Sequence, residues 1–96
     1  MNSFETITTN NLNHDIHNLL ILLEAWSLIA WMTGSDRLVI PRMLEACDVF
    51  RVPYIQLADI YARYAQEGHT EALEKDLASI LKVPYNKISY APTVLN

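Results

Sequence analysis

The chain has 96 residues, 51% hydrophobic and 19% charged, with a net charge of −4 at pH 7. That length points to one domain, and an apolar half with 2 Gly and 4 Pro excludes a disordered acidic tail or a collagenous or loop-dominated chain. The acidic balance disfavours nucleic acid and anionic membranes as partners, and the single cysteine, Cys47, leaves no intramolecular disulfide and fits a reducing, cytoplasmic compartment.

Residues 1–11, rich in Asn and Thr, read as a flexible arm. No Lys or Arg and no apolar core precede His14, so no signal peptide is expected. A first helix is expected from Leu12 to Met32, with Asn10, Asn11 and Asn13 as candidate N-caps and Asp15 at the positive end of the dipole. Residues 19–32 are almost wholly apolar. A bilayer crossing takes about 20 such residues. Glu24 interrupts the run, and a charge at a bilayer centre costs about 2.5–3.5 kcal/mol. A packed helix is therefore expected, not a membrane span. Leu19 to Leu23 cover more than a full turn, and a helix apolar on every side must be surrounded.

Thr33-Gly34-Ser35-Asp36 stops this helix, with Gly34 as a left-handed C-cap and Ser35 as a new N-cap. Pro41 leaves two readings of the second helix. It starts at Pro41 after a short turn, or it starts at Asp36 and is kinked. From Pro41 to Phe50, Met43, Ala46, Cys47 and Phe50 share an apolar face, while Arg42, Glu45 and Asp48 line another. Pro53 suits the first position of a third helix running to Glu67. Its polar stripe is Gln56, Asp59, Arg63 and Gln66, and Asp59 and Arg63 can pair one turn apart. Tyr54, Leu57, Tyr61 and Tyr64 lie on its other faces. Glu67-Gly68-His69 makes the next turn. A fourth helix, Thr70 to Lys82, carries the apolar stripe Leu73, Leu77, Ile80 and Leu81, with Glu71 and Glu74 early and Lys82 late. Val83-Pro84 ends it, and residues 85–96 read as an irregular tail in which Pro92 bars a long fifth helix. The expected fold is all-α, four helices in two antiparallel hairpins within a single domain.

Two internal echoes support repeated helix–turn–helix units. Gly34 and Gly68 each sit between two helices, and Phe50-Arg51-Val52-Pro53-Tyr54 is matched by Leu81-Lys82-Val83-Pro84-Tyr85. Tyr54, Leu57-Ala58 and Tyr61 stand at the spacings of the first helix of a tetratricopeptide unit, with Ala72 and Pro84 at second-helix positions and Asp76 where the family has an aromatic. Residues 54–84 thus resemble a degenerate tetratricopeptide hairpin. In size and organisation the chain is also similar to the small cochaperones of type III secretion needle subunits. The resemblance implies a concave protein-binding surface that shields a partner helix, and no active site.

Chemical constellations are sparse. His14 and His17 lie one turn apart with Glu24 beyond them, but no metal-binding motif is present. Cys47 lies between Glu45 and Asp48 on an apolar stripe and reads as an inert thiol. No catalytic triad, phosphate loop or carboxylate pair stands out, so no enzyme and no cofactor is expected. Residues 46–64 have the order of a DNA-binding helix-turn-helix, with Gln56 and Arg63 facing outward, yet no basic patch accompanies them. The function expected is a non-enzymatic protein-binding module, a chaperone or inhibitor shielding a hydrophobic helix of a partner. The alternatives are a helix-turn-helix transcription regulator and an obligate homodimer. The aromatic and apolar surplus places the binding groove at Leu20, Leu23, Trp31, Tyr54, Tyr61 and Tyr64.

Overall fold

Residues 12–87 are described by a computed structural model. They form four helices: α1 (Leu12–Thr33), α2 (Ile40–Phe50), α3 (Tyr54–Glu67) and α4 (Glu71–Leu81). No strand occurs among the described residues. The expected all-α class is observed. Asn10 and Asn11 of the expected cap lie outside the described residues, as do the arm 1–11 and the tail from residue 88.

Each helix boundary has a local cause. Gly34 takes a left-handed φ of 73°, and its N–H donates to Ala30 O at 2.8 Å, closing α1. Ser35 Oγ accepts from Arg37 N–H at 3.1 Å, opening a single turn in which Val39 N–H donates to Asp36 O at 2.9 Å. Only then does α2 begin, with Pro41 in its first turn, where a missing N–H costs nothing. Of the two readings of Pro41, the start after a short turn holds to within one residue. Thr70 caps α4, its side chain accepting from Leu73 N–H at 3.0 Å.

The echo between residues 50–54 and 81–85 is a repeated helix stop. Arg51 (φ 61°, ψ 46°) and Lys82 (φ 60°, ψ 44°) both adopt the left-handed conformation one residue past their helices. Val52 N–H then donates to Cys47 O at 3.2 Å and Val83 N–H to Ala78 O at 3.0 Å, the bonding of a Schellman cap. The following proline bars continuation.

α3 packs against all three other helices, and α1 packs also against α4. α1 and α2, though consecutive, make little direct contact. The core is built from Ile16, Leu19 and Leu23 of α1, Leu57 and Ile60 of α3, and Leu77 of α4, all 2% exposed or less. Met43, Ala46 and the loop residue Val39 bring the α2 side into the same cluster.

Two backbone predictions follow from the caps. Gly68 holds φ 79°, ψ −160°, a region open essentially to glycine alone, and nothing lies within 4 Å of an added Cβ. Gly68→Ala is expected to lower the unfolding free energy by about 1–3 kcal/mol through backbone strain. Lys82→Gly is expected to raise it by about 0.5–1 kcal/mol by relieving the left-handed cap. Denaturant titration of the two variants checks both signs.

Candidate partner-binding surface

α1 divides into two faces. Ile16, Leu19, Leu20, Leu23 and Trp26 are buried. Ile21, Ala25, Leu28 and Met32 lie on the opposite side of the same helix, at the spacing that keeps side chains on one face. Ile21 is 49% exposed, Leu28 55% and Met32 70%. This outward face is apolar from Ile21 to Met32, and it continues into a groove of about 660 Å³ between α1 and α2. Leu22 and Ile29 line the groove from α1, and Ala46, Val49 and Phe50 from α2. Asn18, Arg42 and Glu45 supply its polar atoms.

The six residues expected to form the groove do not line one pocket: Leu20 and Tyr64 border one depression and Trp31 and Tyr61 another. Leu20, Leu23 and Tyr61 are buried in the core: Leu20 and Leu23 lie on the side of α1 that α3 and α4 cover, and Tyr61 meets that side from α3. Tyr54 and Tyr64 are half-buried against the core. Trp31 is 80% exposed and borders a separate depression with Leu28, Asp36, Tyr61 and Ala65. Ile21, Leu28 and Met32 of α1 and Val49 of α2 are the exposed large apolar residues beside this groove. The alternating three- and four-residue spacing of Ile21, Ala25, Leu28 and Met32 is present in the sequence but hidden, because the intervening positions of α1 are apolar too.

Tyr61 fixes how α1 and α3 meet. Its ring meets Trp26 edge-to-face, with centroids 6.2 Å apart and planes at 73°. Its hydroxyl donates to Asp36 Oδ1 at 3.1 Å. Burial, with the Asp36 hydrogen bond and charge, pushes the Tyr61 phenol up to about 12. A second polar cluster surrounds Glu74, which is 2% exposed. Glu74 accepts a hydrogen bond from the Tyr85 hydroxyl at 2.9 Å and meets His69 Nε2 at 2.5 Å. Tyr85 is likewise pushed up to about 12, by desolvation first and Glu74 second.

The remaining candidates carry little chemistry. The expected Asp59–Arg63 pair forms at 3.3 Å, and Arg63 also meets Asp76 at 2.7 Å. The guanidinium thus sits between two carboxylates instead of projecting toward a phosphate. α2 and α3 are joined by the three residues Arg51–Pro53, a helix-turn-helix spacing, but α3 buries Leu57, Ile60 and Tyr61 and turns Ile55, Gln56 and Asp59 outward. Burial and then Asp48 raise the Cys47 thiol, which disfavours the nucleophilic thiolate. Among the described residues no group of three His, Cys, Asp or Glu side chains converges to hold a metal. Asp15–Thr33 is long and apolar enough to cross a membrane by length and composition, with 28% of its most apolar window buried against the rest of the chain. No family model, curated protein or solved structure matches the chain.

The tyrosine environments set an alkaline limit. An unperturbed phenol titrates near 10, so the raised Tyr61 and Tyr85 values favour the neutral phenol in the folded state. Their contribution to stability is complete below about pH 10 and is lost as pH rises toward about 12. Denaturation midpoints across that window are expected to fall, and to fall less steeply in Tyr61→Phe; an unchanged slope in the variant removes the assignment.

Proposed function

We propose that the chain is a non-enzymatic protein-binding module that takes up an apolar helix along the outward face of α1 and the adjoining α1–α2 groove, as a chaperone or inhibitor of that partner. The observation that carries the reading is the continuity of Ile21, Ala25, Leu28 and Met32 with the groove walls Leu22, Ile29 and Val49. Contiguous exposed apolar surface marks an interaction site. A trough between two helices accepts an amphipathic helix laid along it. Few polar atoms interrupt the trough, so desolvating it costs little.

A membrane reading competes through the length and hydropathy of α1. Against it stands the packing of Leu19, Leu23 and Trp26 in the core with α3 and α4, which a bilayer crossing would have to dismantle. The half-buried free Cys47 is compatible with a reducing compartment such as the cytoplasm.

Leu28→Glu and Val49→Asp place charges on the proposed face. Because both residues are about half exposed, each substitution is expected to change folding stability by no more than about 0.5 kcal/mol. The wild-type chain is expected either to sediment above its 11.0 kDa monomer mass or to enhance the fluorescence of an apolar dye, and both variants to lose that behaviour. A wild-type chain that sediments as the monomer and leaves the dye unchanged overturns the reading.

A further inference from the structure

We infer that the helix received by this face is α1 of a second copy of the chain, paired in parallel along a seam of Asn18, Ile21, Ala25, Leu28 and Met32; the inference rests on the docking reading above and names its occupant. These five residues follow one another at intervals of three, four, three and four, the a and d positions of a heptad repeat. The seam lies opposite the buried stripe of α1, so two copies can meet along it without disturbing either core. Leu22 and Ile29 occupy the flanking positions on the groove side, and His17, Glu24 and Trp31 those on the other side.

Three features select a second copy in this register. First, Asn18 is the polar member of the seam. An apolar partner helix would leave its amide unpaired, whereas a parallel copy sets Asn18 against Asn18, the arrangement by which one polar a residue fixes register in two-stranded coiled coils. Second, partner choice between such helices is set by charges at the flanking positions. Between Asn18 and Met32 those positions hold one ionised group, Glu24, so nothing in the seam repels its own copy. Third, the antiparallel registers are poorer. One sets Asn18 against Leu28 and brings the two Glu24 side chains together; the next, a heptad away, leaves Asn18 beyond the end of the partner's α1. Parallel pairing instead places Glu24 beside Ile29 of the other copy, on the side where Arg42 lines the groove. The two α1 helices and the two α2 helices then enclose one apolar layer around a two-fold axis.

Sedimentation equilibrium of the full chain, with cysteine cross-linking, tests this. The wild type is expected to reach twice its 11.0 kDa mass as concentration rises, and Leu28→Glu to remain a monomer. Asn18→Leu is expected to tighten the dimer, since the polar seam residue trades affinity for register. In a Cys47→Ser background, Leu28→Cys is expected to oxidise to a disulfide-linked dimer, because parallel pairing sets residue 28 against residue 28 and antiparallel pairing does not. A dimer that fails to cross-link overturns the parallel register. A monomer whose apolar-dye binding is lost in Leu28→Glu overturns self-association and leaves the docking reading standing. A monomer that binds no dye overturns both.

Discussion

α1 carries apolar residues at nearly every angle, and the three shorter helices cover only one side of it. This constraint organises the molecule. α3 and α4 cover the side bearing Leu19, Leu23 and Trp26. Full burial of one such aliphatic side chain contributes about 1.5–3 kcal/mol, so that side supplies much of the drive toward the bundle. The side bearing Ile21, Leu28 and Met32 keeps about half or more of its surface in water, and this is the surface to which the proposed docking is assigned.

α3 is the element that makes the partial cover possible. It reaches α1, α2 and α4, and Tyr61 serves two of its contacts at once. The ring packs on Trp26, and the hydroxyl holds Asp36 in the turn between α1 and α2. That turn sets where α2 departs, and hence the width of the groove that α2 forms with α1. Residues of the core thus shape the outer surface without lining most of it.

The punctuation of the fold was legible in the sequence. Gly34, Pro41, Pro53 and Gly68 each mark a break because each imposes a backbone conformation that a helix either cannot continue through or must start from. The Asp59–Arg63 pair was legible from spacing alone. In α2 and α4 the buried residues Met43, Ala46, Leu73 and Leu77 follow from amphipathic spacing. α1 is different: with apolar residues at nearly every angle, no periodicity says which side faces inward, so the buried Leu20 and Leu23 are not distinguished in the sequence from the exposed Ile21 and Leu28. The burial of Glu74 was equally hidden. Its partners, His69 in a turn and Tyr85 past the helix, lie five residues before it and eleven after, and only the closed fold brings them to one carboxylate.

That carboxylate divides the bundle into parts of unequal persistence. Glu74, in the first turn of α4, binds the turn before that helix and Tyr85 in the irregular segment after it, so one buried carboxylate ties together the chain on both sides of α4. α2 rests chiefly on α3. In native-state hydrogen exchange the amides of α2 are therefore expected to belong to a low-energy opening that leaves α1, α3 and α4 assembled, and those of α4 to exchange only when the remaining three-helix unit unfolds.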